Sequence, residues 1–235
     1  MNCRLYLLPA PLGDNPPEEV IPGDVFRRIA PVEHFAVEDV RSARRYLSRI
    51  GFRGRIDSLS FYEVNEHSSH EDIENAFRPL LSGSDMVLVS EAGLPAVADP
   101  GASLVAMAHN AGIEVVPLSG PSSLMMALMS SGMNGQCFAF SGYVPVKPDA
   151  RKRRIRELEM RSRKYSETEI VIETPYRGDS LLKDILEVCD PSTRVCVAAD
   201  ITLPDQFIRT MTVAQWRRAG AVPLARRPAV FLIYA

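Results

Sequence analysis

Apolar residues along this chain come in short blocks of strand length, each emptying into a polar loop and then into a stretch with helical spacing. Arg4 to Leu8 (RLYLL) predicts a first buried strand, and the loop through Pro9, Pro11, Gly13, Asp14, Pro16 and Pro17 can continue neither helix nor ladder. A helix is predicted around Val20 to Ile29, a strand over His34 to Val37, a helix from Arg41 to Ile50 stopped by Gly51, and a strand over Ser58 to Phe61. A helix over Glu71 to Leu81 leads to the most apolar block, Met86 to Val89, which opens into Ser90-Glu91-Ala92-Gly93 and on through Pro95, Asp99, Pro100 and Gly101. A helix at Ser103 to Ala111, closed by Gly112, and a strand at Glu114 to Leu118 complete this part.

Strands alternating with helices through short connections predict an α/β fold with a mostly parallel sheet covered on both faces. Polar groups gather after strands, at Asp14, Glu38-Asp39, Glu63 to His67 and Ser90 to Asp99, where α/β proteins bind ligands. Ser119-Gly120-Pro121-Ser122-Ser123 then breaks the pattern, so a first domain is expected over 1–118 and a second over 119–235. The second is read as a smaller α/β domain with a mixed sheet. Its helices are expected at Leu124 to Ser131, Ala150 to Lys164, Tyr176 to Cys189 and Val213 to Ala219, and its strands at Phe138 to Phe140, Glu169 to Ile172, Arg194 to Ala199, Gln206 to Thr212 and Ala229 to Tyr234.

With 235 residues, 46% of them hydrophobic, the chain can fill such a core. Its N-terminal stretch MNCRLYLLPAPLG lacks a long apolar region, and no segment approaches the ~18 uninterrupted apolar residues of a membrane span, so a soluble cytoplasmic protein is expected. Cys3, Cys137, Cys189 and Cys196 form no CxxC pair, and His67-x-x-His70 has only acids nearby, so no metal is expected. Met125, Met126, Met129 and Met133 read as core filling.

Charge divides the halves. Residues 1 to 118 hold ten arginines, no lysine and seventeen acids, a net −7, and the remainder nets +5. Lys147, Arg151, Lys152, Arg153, Arg154, Arg156, Arg161, Arg163 and Lys164 face only Asp149, Glu157 and Glu159, a density that an RNA phosphate backbone would relieve. No GxxxxGK[ST] and no strand-linked GxGxxG is present, and the acids at the strand ends would repel a pyrophosphate but suit a cation such as the sulfonium of S-adenosylmethionine.

Seven segments in order carry a resemblance covering nearly the whole chain: Ala10-Pro11-Leu12-Gly13-Asp14, Glu38-Asp39-Val40-Arg41, Tyr62-Glu63-Val64-Asn65-Glu66, Ser90-Glu91-Ala92-Gly93-Leu94-Pro95 through Asp99-Pro100-Gly101, Ser119 to Ser123, Gly142 to Lys147, and Glu173-Thr174-Pro175-Tyr176-Arg177. They resemble the TPIGN, EDTR, HEHNE, SDAGTPxxxDPG, PGPSA, GFLPRK and ESPHR elements of the tetrapyrrole methylase-like S-adenosylmethionine-dependent methyltransferases, in the branch that methylates a cytidine ribose 2′-hydroxyl of small-subunit ribosomal RNA. The sequence departs from that pattern at Tyr62, Val64 and Tyr176, where the family has histidines, at Val40 for threonine, and at Glu91 for aspartate.

The resemblance implies two α/β domains with a cofactor cleft between them, a homodimer, and an S-adenosylmethionine site lined by Pro11, Gly13, Ser90, Glu91, Ala92, Gly93, Pro95, Asp99, Gly120, Pro121 and Ser122. It implies catalysis by alignment plus a base drawn from Glu38, Asp39, Glu63 and Glu66, with Arg41 and Asn65 orienting a ribosomal RNA substrate. The alternative readings are a methylase of a tetrapyrrole or other small acceptor, and a non-catalytic RNA-binding paralogue.

Overall fold

Five short strands build the first sheet: β1 (Arg4–Leu8), β2 (His34–Val37), β3 (Ser60–Glu63), β4 (Met86–Val89) and β5 (Glu114–Pro117). All pair in parallel, in the order β3-β2-β4-β1-β5. Successive side chains of a strand leave opposite faces, so a parallel sheet covered on both sides needs apolar residues at every position, as in MVLV of β4. Leu5, Ala36, Met86 and Leu88 pack with Phe77, Leu80, Leu104 and Ala108 on one face. Tyr6, Leu8, Phe35, Val37, Val87 and Val89 pack with Val25, Ile29, Ala43 and Leu47 on the other. A short α1 (Pro17–Val20) precedes the helices that supply those partners, α2 (Gly23–Ile29), α3 (Val40–Leu47), α4 (His70–Leu81) and α5 (Ala102–Asn110).

This computed structural model describes residues 3–220 and 222–235; Met1 and Asn2 of the N-terminal stretch, and Ala221, lie outside it. The chain divides into two units after Ser122. The division follows the expected breakpoint at 118 instead of coinciding with it, so Gly120, Pro121 and Ser122 belong to the first unit.

The second unit contains α6 (Ser123–Ser131), β6 (Phe138–Tyr143), α7 (Pro148–Tyr165), β7 (Thr168–Glu173), α8 (Gly178–Val188), β8 (Arg194–Ala199), β9 (Phe207–Thr212), α9 (Val213–Ala219) and β10 (Ala229–Tyr234). Its sheet runs β6-β7-β10-β8-β9, with β6 and β7 parallel and the other pairs antiparallel, a mixed sheet as expected. It has as many strands as the first. Trp216 and Phe231 are fully buried in its core, and the Trp216 Nε1 donates to the Val195 carbonyl at 2.9 Å. No helix among the described residues is long and apolar enough to cross a membrane.

Where boundaries differ from the sequence reading, local chemistry explains the difference. The single helix expected over Val20 to Ile29 is two, because Ile21 precedes Pro22 and is held extended (φ −125°, ψ 126°). The strand expected from Ser58 begins at Ser60, since Ile56–Ser58 winds into a 3-10 turn.

The basic helix α7 is less free than its charge run suggests. Arg151 is buried, with Nη2 and Nε at 2.6 and 2.7 Å from Asp184 Oδ2. Lys152 pairs with Glu187 at 2.6 Å, Arg154 with Glu157 at 3.3 Å, and Arg161 with Glu167 at 3.2 Å and Glu169 at 3.3 Å. Much of the run thus ties α7 to α8 and β7, while Lys147, Arg153 and Arg156 remain exposed.

Breaking the buried pair leaves an uncompensated charge, so Asp184→Ala is expected to destabilise the second unit by about 3 kcal/mol. Urea denaturation followed by the fluorescence of Trp216, the single tryptophan, measures it, and Arg151→Met with Asp184→Leu together is expected to recover most of the loss.

Candidate active site

Because β4 inserts between β1 and β2, the carboxyl ends of these three strands lie side by side, and a crevice opens where their loops diverge. It is a cavity of about 400 Å³, within the range of small-molecule sites. The loop after β1 contributes Ala10 through Asp14, the end of β2 and the start of α3 contribute Glu38, Asp39 and Ser42, and β4 with its loop contributes Val89, Ser90, Glu91 and Ala92. Arg45, Tyr46 and Arg49 line it from α3 and the wide turn that continues that helix.

Two loops are tied across this cavity by backbone. Ala10 N–H donates to the Gly93 carbonyl at 2.8 Å, and Gly93 N–H donates back to Ala10 at 3.0 Å. Gly93 has φ +73°, a left-handed conformation that side chains rarely adopt, and a Cβ there would lie 3.4 Å from Leu12 Cδ2. Gly120 is fixed for a different reason: a Cβ would fall 2.3 Å from the Pro9 ring. Pro9 in turn accepts a hydrogen bond from Tyr46 Oη at 2.7 Å, and burial pushes that phenol well above its ordinary pKa. In the same long loop Ala96 and Ala98 also take positive φ, 63° and 62°, without being glycine, a strain of the kind that concentrates at ligand-binding loops.

The acids differ in environment. Glu38 is half-buried; burial raises its carboxyl above the ordinary value, the charges of Asp99, Glu91 and Glu66 add to that, and a hydrogen bond from the Glu91 N–H at 3.4 Å opposes it. Asp99 is raised chiefly by burial, then by Glu91, against the neighbouring Ser90 hydroxyl. Asp39 goes the other way: as N-cap of α3 it accepts from Ser42 N–H at 2.7 Å, and that bond with the Ser42 hydroxyl holds it below its ordinary value. Asp39 is therefore engaged in starting a helix, whereas Glu38 keeps its carboxyl free of capping, in the cavity wall.

Of the residues singled out in the sequence, the cavity wall brings together Pro11, Gly13, Glu38, Asp39, Ser90, Glu91 and Ala92. Asn65 stands behind it, donating from Nδ2 to the Glu38 carbonyl at 3.4 Å. Glu63 and Glu66 are exposed, with Glu66 3.5 Å from His67 Nε2. Arg41 is exposed on the first turn of α3, Pro95 is buried behind the Gly93 turn, and Pro121 lies near Gly93. Tyr62 and Val64, at two histidine positions of the family pattern, do not line this cavity: Tyr62 Oη is 3.2 Å from His34 Nδ1, and Val64 is core. In the second unit Glu173 and Arg177 pair with each other at 2.5 Å. Sequence reasoning missed Ser42, Arg45, Tyr46 and Arg49; four-residue spacing from Arg41 would have found Arg45 and Arg49.

The fold and this crevice define an α/β enzyme scaffold of the two-unit type found in several corrin and porphyrin methyltransferases. The methyltransferase CobJ superposes over 100% of this chain and 94% of its own with a TM-score of 0.64 at 19% identity. Uroporphyrin-III C-methyl transferase from Thermus thermophilus, complexed with S-adenyl homocysteine, does so over 98% and 97% with a TM-score of 0.55 at 18% identity. The sequence pattern of the tetrapyrrole (corrin/porphyrin) methylases matches residues 5–216, and the chain belongs to that family. Two relatives are named Ribosomal RNA small subunit methyltransferase I. The one from Vibrio cholerae is 33% identical over 90% of this chain and 69% of its own length, and the one from Escherichia coli O157:H7 is 30% identical over 85% and 65%. The chain thus spans about two thirds of the length of these relatives.

Glu38→Gln isolates the electrostatic argument. A carboxyl raised in the folded state holds its proton better there than in the unfolded chain, so its ionisation costs stability as pH rises through the folded value. The variant is expected to melt higher than the parent at pH 7.5, with the gap closing as pH falls towards the ordinary glutamate value; thermal melts across that range read it.

Proposed function

We propose that this chain is an S-adenosylmethionine-dependent methyltransferase acting on a cytidine ribose 2′-hydroxyl of small-subunit ribosomal RNA. The observation that carries the reading is the half-buried Glu38, its carboxyl raised by burial, at the joined ends of β1, β2 and β4, in a chain whose relatives bear the ribosomal RNA methyltransferase name. The donor set fits a cationic ligand: Glu38, Glu91 and Asp99 gather negative charge that a sulfonium would offset. We assign cofactor contacts to Pro11, Gly13, Ser90, Glu91, Ala92, Gly93, Pro95, Asp99, Gly120, Pro121 and Ser122.

When bound, S-adenosylmethionine supplies a methyl carbon made electrophilic by the adjoining sulfonium. Glu38 would accept the proton of the attacking hydroxyl as its oxygen takes the methyl carbon, the carbon–sulfur bond breaking to leave a neutral thioether. Asn65 holds the Glu38 backbone, and the Ala10–Gly93 bonds keep the two flanking loops in register, the positioning on which an in-line displacement depends. The substrate places the protein in the cytoplasm with the ribosome. None of the four methionines expected to fill the core is buried, and the exposed Met129 of α6 with Phe138 and Phe140 of the edge strand β6 support a homodimer, which sedimentation of the purified protein tests.

Isothermal calorimetry is expected to show S-adenosylhomocysteine binding at micromolar concentration; no binding at high micromolar concentration defeats the methyltransferase reading. Ribose-methylation maps of ribosomal RNA from cells with and without the protein test the acceptor, with an identical map defeating it. Gly93→Val is expected to abolish cofactor binding and to cost about 1–3 kcal/mol while the protein stays folded, and Glu38→Gln to lower kcat about 10²–10⁴-fold with cofactor affinity retained.

A further inference from the structure

Between Asp39 and Asp57 the chain carries six arginines, Arg41, Arg44, Arg45, Arg49, Arg53 and Arg55, and no acid, inside the half whose total charge is −7. Summing over the half conceals the run. The fold sorts these arginines. Arg44 pairs with Asp57 and lies 5.8 Å over the Phe61 ring, while Arg55 lies 5.5 Å over Phe52 and bonds the Ala30 carbonyl. Arg41, Arg45 and Arg49 recur every four residues, which stacks them along one side of α3 and its continuing turn.

Arg45 and Arg49 line the same cavity as Glu38 and Glu91. Arg49 is fixed there, with Nη2 donating to the Asn15 carbonyl at 2.8 Å and Nη1 to Asp14 Oδ1 at 3.1 Å. Arg45 is exposed, and among the described residues no acid comes within 4.0 Å of its guanidinium. Arg49 is thus answered by Asp14, whereas Arg45 shares the 400 Å³ space with the carboxylates of Glu38 and Glu91 without an ion pair to either. A ligand matching that division presents a reacting hydroxyl to the acids and an anion to the arginines. In RNA a ribose 2′-hydroxyl is vicinal to the 3′-phosphate, so whatever brings the hydroxyl to Glu38 brings a phosphate with it.

We propose that Arg45, with Arg49 behind it and Arg41 one turn earlier, grips the phosphate backbone at the ribose being methylated, an RNA track on the acidic half of the chain. It rests on the ribose acceptor proposed above. The ion-paired cations of α7, by contrast, are committed to structure. Guanidinium suits the role because its planar fork donates to two phosphate oxygens at once.

The test compares the parent, Arg45→Glu and Arg153→Glu for binding to small-subunit ribosomal RNA transcribed in vitro, over a series of KCl concentrations, beside calorimetry with S-adenosylhomocysteine. Arg45→Glu is expected to weaken RNA binding at least tenfold and to flatten the plot of log affinity against log salt by about one unit, the signature of a lost phosphate contact. Its affinity for S-adenosylhomocysteine is expected to stay within twofold. Unchanged RNA affinity and slope in Arg45→Glu, or a slope lost only in Arg153→Glu, overturns the proposal. So does loss of S-adenosylhomocysteine binding in Arg45→Glu, which reassigns Arg45 to the cofactor carboxylate. A parent that binds the RNA through Arg45 yet never methylates its ribose defeats the proposed function while leaving the RNA track standing.

Discussion

The paired hydrogen bonds between Ala10 and Gly93 are the constraint on which the site depends. They join loops leaving two neighbouring parallel strands, and they exist because β4 is inserted between β1 and β2, which a chain running in simple sequence order would not produce. Once the loops are joined, the Gly93 conformation, the seat of Pro9 on Gly120 and the bond from Tyr46 to Pro9 follow as consequences of close backbone approach. The long loop from Ser90 to Gly101 can then carry two strained alanines, because its beginning is clamped to the sheet.

Electrostatically the cavity is an arrangement of charges that only partly satisfy one another: Arg49 pairs with Asp14, while Glu38 and Arg45 have no ion pair among the described residues. Glu38 and Asp99 are partly withdrawn from water beside further acids, and both hold their protons more tightly than usual as a result. A protein built only for stability would have neutralised them with the arginines of α3. The more buried ion pairs lie elsewhere, at Arg151–Asp184, which joins α7 to α8, and at Arg177–Glu173, which joins the start of α8 to β7. Contrast between the satisfied and unsatisfied sets marks the functional surface more sharply than net charge does.

Much of this was legible in the sequence where one local rule governs. β1, β2, β4, β8, β10 and α9 fall on the expected residues because unbroken apolar runs and capping signals admit few alternatives. The loop residues of the cavity were legible too, through glycine and proline at positions that need them. What escaped depends on tertiary placement. The retreat of Tyr62 towards His34 and the burial of Arg151 are decided by partners 28 and 33 residues away. Arg45 and Arg49 escaped because charge summed over 118 residues erases a run of fifteen.

The departure at Tyr62 and Val64 has a consequence for the proton traffic of the site. With neither position offering an imidazole and no histidine among the residues of the cavity wall, the groups there whose proton burial holds more tightly are the carboxyl of Glu38 and the phenol of Tyr46. Under the proposed reaction the acid limb of the rate profile then belongs to Glu38, with no imidazole in the cavity wall to add a second.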